Sequence, residues 1–235
     1  MEKLPIIALD FTGAEAKQFL KQFDEHLFVK VGMELFYESG PPIIQDIKAM
    51  GHKVFLDLKL HDIPTTVQKA MKQLAALDVD LVNVHAAGGV NMMKAAVKGL
   101  NEGCINGKRP EIIAVTQLTS TSEQQMQNEQ QIQLNLIQSV QHYAGLAKQA
   151  GLDGIVCAAT DCRHLISELG SDFKYITPGI RPKGTDANDQ VRTATPAEAA
   201  QLGASAIVVG RAITGSEDPT GSYRQIKKEW SGTDE

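Results

Sequence analysis

Val54-Phe55-Leu56-Asp57-Leu58-Lys59-Leu60-His61-Asp62-Ile63-Pro64-Thr65-Thr66 opens as an apolar strand and closes on a proline turn into a helix. Asp57, Lys59 and Asp62 put three formal charges within six residues, alternating carboxylate, ammonium, carboxylate. Side chains two apart on a strand share a face, so Asp57 and Lys59 are expected to project together, with Leu58 and Leu60 pointing the other way. Charge on the inward face of a buried strand is costly unless it is paired. A chain that keeps charge there is expected to use it for chemistry.

The same grammar runs along the whole chain. Nearly continuous apolar runs fall at Ile6–Asp10, Phe28–Val31, Val54–Lys59, Leu81–His85, Ile112–Thr116, Gly154–Cys157, Lys174–Thr177 and Ala206–Val209, as expected for strands covered on both faces. Amphipathic or alanine-rich segments alternate with them at Ala14–Phe23, Glu38–Met50, Thr65–Ala76, Asn91–Asn101, Glu129–Gln149, Asp161–Leu169, Pro196–Leu202 and Ser222–Trp230. Eight strand–helix units without a composition break predict one (β/α)8 TIM barrel over residues 1–235 as a single domain. An open doubly wound sheet is the alternative; strict alternation and chain length favour the barrel.

Composition narrows the function. The chain has 235 residues, 43% of them hydrophobic, enough for a sizeable core, and a net charge of -5. It has no basic run and no aromatic-rich basic face, so nucleic acid is not an expected partner. No apolar run reaches the length of a membrane helix. Met1-Glu2-Lys3-Leu4-Pro5 leads straight into a strand-like run, a start expected of a chain without a signal peptide. Cys104, Cys157 and Cys162 lack CxxC spacing and read as reduced thiols of a cytoplasmic protein, neither a disulfide framework nor a zinc site.

A barrel places its active site at the carboxyl ends of its strands. Those ends carry Asp10, Lys30, Asp57, Lys59 and His85, then Thr177-Pro178-Gly179-Ile180-Arg181 and Gly210-Arg211. His85 alone reads as a solvated strand end; Asp10, Lys30, Asp57 and Lys59 together read as a site. Gly179, Arg181, Gly210 and Arg211 follow strands seven and eight, where barrels often bind phosphate. Glycine admits close backbone approach, and arginine offers a bidentate fork. The segment 182–195, long for a βα loop, reads equally as a mobile lid or an ordinary surface loop.

Together these residues resemble the orotidine 5′-phosphate decarboxylase family in its short bacterial form. The most specific part is Asp57-x-Lys59-x-x-Asp62-Ile63-Pro64-x-Thr66, supported by Ala8-Leu9-Asp10, Val29-Lys30-Val31-Gly32, Val115-Thr116-x-Leu118-Thr119-Ser120, Thr177–Pro182 and Val209-Gly210-Arg211. The resemblance spans essentially the whole chain. It implies a homodimeric barrel, without metal or organic cofactor, that converts orotidine 5′-monophosphate to UMP and carbon dioxide. It implies Lys59 as proton donor to C6 of the pyrimidine, within a charged array of Lys30, Asp57, Lys59 and Asp62, with Asp62 supplied by the partner subunit. Asp10 and Lys30 would hold ribose hydroxyls, Thr119 and Ser120 would meet the pyrimidine edge, and Pro178 would contact substrate. Gln190 would bridge base and phosphate, and Arg181, Gly210 and Arg211 would bind the phosphate. Ile63 and Thr66 would enter the neighbouring subunit's site with Asp62.

Three other readings compete. Enzymes resembling 3-keto-gulonate 6-phosphate decarboxylase share Asp-x-Lys-x-x-Asp but use magnesium, with an acidic ligand near the end of strand two; here Lys30 stands there and would repel a divalent cation. A Schiff-base aldolase needs an uncharged lysine, and carboxylates around Lys59 oppose loss of its charge. A non-catalytic phosphonucleotide-binding barrel would need all these charges only as structural pairs.

Overall fold

The computed structural model describes residues 3–105, 107–182 and 192–232. Its strands are β1 (Ile6–Leu9), β2 (Phe28–Gly32), β3 (Lys53–Leu60), β4 (Leu81–His85), β5 (Glu111–Val115), β6 (Gly154–Val156), β7 (Lys174–Thr177) and β8 (Ala206–Val209). They pair in sequence order, all parallel, and β8 closes on β1. The closed barrel excludes the open sheet. Around it run α1 (Gly13–Leu20), α2 (Met33–Ser39), α3 (Pro42–Ala49), α4 (Pro64–Ala75), α5 (Gly89–Gly103), α6 (Glu123–Glu129), α7 (Leu136–Gln149), α8 (Ala159–Leu169), α9 (Pro196–Leu202), α10 (Arg211–Thr214) and α11 (Pro219–Ser231).

Strand alternation divides the core into two layers. Ile6, Phe28, Phe55, Leu81, Ile113 and Ile176 fill the barrel interior. Ile7, Leu9, Val29, Leu56, Leu58 and Val82 pack outward against the helices. On β3, Phe55 faces in while Val54, Leu56 and Leu58 face out. Asp57 and Lys59 continue the inward row, where the sequence pattern puts them.

Three departures of the helix boundaries from the pattern have a local cause in breakers and caps. The expected helix Glu38–Met50 is α2 and α3, broken at Gly40 (φ +66) and Pro41, because proline cannot continue a helix hydrogen-bond ladder. The expected Glu129–Gln149 starts later, at α7, where Asn135 and Gln138 form a capping box; Ser122 caps a separate α6 before it. The last helix starts at Pro219 rather than Ser222, because the Asp218 side chain accepts from the Gly221 N–H and sets the N-terminus there. Helices α4 and α5 approach closely: a Cβ on Gly99 or Gly103 would lie 2.1 Å from the Gln68 or Lys72 carbonyl oxygen. This packs α4, which follows the turn that carries Asp62, closely against α5. All three cysteines are free. Among the described residues, no helix is long and apolar enough to cross a membrane.

Candidate active site

The inward charges of β3 do not sit on a regular pleat. Leu56 pairs with Val82 and Leu60 with Val84, so Asp57, Leu58 and Lys59 on β3 face Asn83 alone on β4. Such a bulge re-aims side chains at a strand end. It carries Lys59 to φ +51, in the left-handed region. In place of a ladder carbonyl, the Asn83 side-chain oxygen accepts from the Lys59 backbone N–H at 2.8 Å. Plain alternation predicts the shared face of Asp57 and Lys59; it does not predict this backbone.

The result is a chain of alternating charge. Lys59 Nζ lies 2.7 Å from Asp57 Oδ1, and Lys30 Nζ lies 3.4 Å from Asp57 Oδ2 and 3.7 Å from Asp10 Oδ1. Asn83 Nδ2 donates to Asp57 Oδ1 at 2.6 Å. Asp57 is buried and Asp10 exposed. Burial pushes the Asp57 carboxyl up, but the ammonium groups of Lys30 and Lys59 and the bonds from Lys59 and Asn83 outweigh it. The carboxyl is held below the usual range and carries its charge at neutral pH. His85 is pulled down, first by burial and then by His61, whose ring lies 5.8 Å away, and by Lys59.

Lys30, Asp57, Lys59 and Asn83 form one wall of a cavity of about 240 Å³ at the carboxyl end of the barrel. Thr119, Ser120 and Pro178, three residues named by the resemblance, line it, and Phe55, Val115 and Ile176 make an apolar floor. Apolar lining with a few fixed polar and charged groups is the usual build of a small-molecule site. Two polar lining residues were missing from the sequence reading, Asn83 and Gln117. Both are buried. Gln117 Nε2 donates to Gln130 Oε1 and Ser139 Oγ, each at 3.1 Å, which ties the segment bearing Thr119 and Ser120 to α7. The signal for Asn83 was present: a lone amide on the inward register between the apolar Leu81, Val82 and Val84.

A match across this architecture settles the family. The family model described as "Orotidine 5'-phosphate decarboxylase / HUMPS family" matches residues 3–226. The chain belongs to that family. It is 59% identical over 233 residues to the orotidine 5′-phosphate decarboxylase of Staphylococcus haemolyticus, covering 99% of this chain and 100% of the relative. The Staphylococcus aureus (strain Newman) enzyme of the same name is 59% identical over 231 residues, 98% of this chain and 99% of the relative. Among solved structures, orotidine 5′-phosphate decarboxylase from Lactobacillus acidophilus superposes with a TM-score of 0.89 at 42% identity, covering 97% of this chain and 99% of that one. An uncharacterised conserved protein from Geobacillus kaustophilus gives 0.86 at 47%, covering 96% and 99%. Similarity of this extent makes the chain an enzyme with a decarboxylating role.

The other described residues to which the resemblance gives a role do not line this cavity. The Gly210 backbone sits beside Asp10: a Cβ built on Gly210 would lie 3.8 Å from Asp10 Oδ2. Arg211 opens α10 and, with Pro182 and Ser216, lines a separate concavity of about 410 Å³. Arg181 follows β7; its Nη1 donates to the Ile180 carbonyl at 2.9 Å, and its backbone N–H to the Ala194 carbonyl. Gln190 and most of the segment 182–195 lie outside the described residues. Asp62, Ile63 and Thr66 do not reach the cavity of their own chain. All three are exposed, Ile63 by 64%, and the Asp62 carboxylate accepts from the Ile63 N–H at 2.6 Å.

Proposed function

We propose that the chain converts orotidine 5′-monophosphate to UMP and carbon dioxide in pyrimidine nucleotide synthesis, with Lys59 as proton donor and without metal or organic cofactor. The observation that carries this reading is the Lys59 ammonium held 2.7 Å from a buried, ionised Asp57 at the wall of a cavity of about 240 Å³. Loss of carbon dioxide leaves negative charge on an sp2 carbon with no conjugated sink. A cation must sit where the carboxylate leaves and must also hold a proton, and Lys59 does both. The Lys59 proton passes to C6, the C6–carboxylate bonding pair having become the lone pair that receives it.

Asp57 adds a second effect. A substrate carboxylate bound beside it is repelled, by ~4 kcal/mol for a pair at ~4 Å and an effective dielectric of ~20. The repulsion vanishes as neutral carbon dioxide forms. Lys30 holds Asp57 from the other side and reaches toward Asp10, so the two can grip ribose hydroxyls while Thr119 and Ser120 meet the pyrimidine edge.

The phosphate end is assigned to Arg181, Gly210 and Arg211, with Gln190 bridging base and phosphate. Binding energy gathered there, remote from the reacting carbon, orders the site. Arg211→Ala is expected to weaken UMP about 10- to 100-fold, the loss of a charge-assisted contact, as read by calorimetric titration. Unchanged UMP affinity would place the phosphate elsewhere.

Metal independence has its own test. Among the described residues, no group of three or more His, Cys, Asp or Glu side chains is arranged to hold a metal ion. Lys30 also stands where a cation-binding relative needs an acid. Dialysis against EDTA is expected to leave orotidine 5′-monophosphate turnover unchanged. Activity lost to EDTA and restored by magnesium would favour the magnesium-dependent enediolate chemistry instead.

The working unit in this reading is a cytoplasmic homodimer of single-domain chains with shared sites, in which Asp62, Ile63 and Thr66 complete the partner's cavity. Their exposure on one chain, and an isoleucine bared at the turn, support it. No nucleic-acid partner is proposed for a chain of net charge -5.

A further inference from the structure

We propose that Asn83 is a positioning residue for the charged array, setting both the Asp57 carboxylate and the backbone conformation that aims Lys59 into the cavity. The inference rests on the decarboxylase reading above and deepens it. Asn83 is 2% exposed and is the one β4 residue opposite the three-residue bulge of β3. Its amide is used at both ends. The oxygen accepts from the Lys59 N–H at 2.8 Å, and the nitrogen donates to Asp57 Oδ1 at 2.6 Å. The chemistry fixes the amide's orientation: a backbone N–H needs an acceptor and an ionised carboxylate needs a donor.

A short primary amide, with acceptor and donor on one planar group, meets both demands across this gap. Alanine leaves the Lys59 N–H without its acceptor in a conformation that non-glycine residues seldom adopt. It also removes one of the bonds that hold Asp57 Oδ1, the oxygen that Lys59 Nζ contacts at 2.7 Å. The ammonium would then lose both its backbone support and its fixed counter-ion geometry. Asn83 itself carries no proton for the reaction and no charge, so its effect falls on the chemical step rather than on binding of the phosphate or ribose.

The test is a comparison of wild type, Asn83→Ala and Asn83→Asp, with melting curves to establish folding. Asn83→Ala is expected to lower kcat by about 10²-fold, the cost of a misplaced reacting group, with KM and UMP affinity within a few-fold of wild type. In Asn83→Asp the bond to Asp57 survives only while the new carboxyl keeps its proton, and two carboxyls this close share one at raised pKa. Its kcat is expected to be highest at the acid end and to fall as pH rises through that ionisation. Asp10, Lys30, Asp57, Lys59, His61 and His85, the other titratable groups around the array among the described residues, are common to both proteins, so the added ionisation shows as a difference from wild type. If Asn83→Ala does not fold, the Asn83→Asp profile decides. Folded Asn83→Ala with kcat near wild type, a loss mirrored equally in UMP affinity, or an Asn83→Asp profile parallel to wild type would each overturn the assignment. Wild-type protein inert toward orotidine 5′-monophosphate would overturn the decarboxylase reading and this inference with it; turnover undiminished by the substitutions overturns the inference alone.

Discussion

Lys59→Ala protein is expected to fold and to lose decarboxylation by at least about 10⁴-fold in kcat. A positioned general acid contributes about 10²–10⁴, and removing a preorganised charge from the developing anion costs about 10²–10³ more. Folding should survive for a structural reason. Asp57 is not abandoned when Lys59 goes, because Lys30 remains 3.4 Å away and Asn83 still donates to it. The Lys59 side chain is also 27% exposed, so its removal leaves no sealed void. The expected destabilisation is on the order of one lost charged hydrogen bond, about 1.5–3 kcal/mol. Turnover measured beside a melting curve decides it. Near-normal decarboxylation by a folded Lys59→Ala protein would remove Lys59 from the chemistry.

The second large effect concerns Asp62. It lies three residues beyond Lys59, past the strand end, exposed and not among the residues lining its own cavity. One account is local: the carboxylate caps the Ile63 N–H before Pro64 and shapes the turn. The proposed account sends it into the neighbouring subunit, an exchange that two-fold symmetry makes reciprocal. Subunit mixing separates them. Asp62→Ala and Lys59→Ala homodimers should each be inactive. After exchange, a mixed dimer holds one site with native Lys59 and native Asp62 from different chains, and one site lacking both. Activity is expected to rise from near zero toward half that of wild type per mixed dimer. Demonstrated heterodimers without recovered activity would mean that Asp62 serves its own chain.

Much of this was legible in the sequence, for reasons particular residues make plain. Parallel strands buried on both faces read as unbroken apolar runs, so Leu81–His85 and Lys174–Thr177 are found at their structural bounds. Charge interrupting such a run, as at Lys30 and Asp57, stands out because an unpaired one could not be tolerated there. Helix ends were harder. Gly40-Pro41 splits α2 from α3, and caps at Ser122, Asn135 and Asp218 outrank hydrophobic periodicity in setting where α6, α7 and α11 begin. Asn83 and Gln117 escaped because their roles are set by cross-strand and cross-loop partners far away in sequence. The bulge that gives Asn83 its role is a property of two strands in register, and no periodicity along one strand reports it.

The central claim is that this cavity removes carbon dioxide from a pyrimidine nucleotide. Orotidine 5′-monophosphate labelled with ¹³C in its carboxylate tests it most directly. Purified, EDTA-treated protein is predicted to release the label as carbon dioxide and to leave an equal amount of unlabelled UMP, with neither product formed by Lys59→Ala. Labelled substrate recovered intact after incubation with folded wild-type protein would contradict the account.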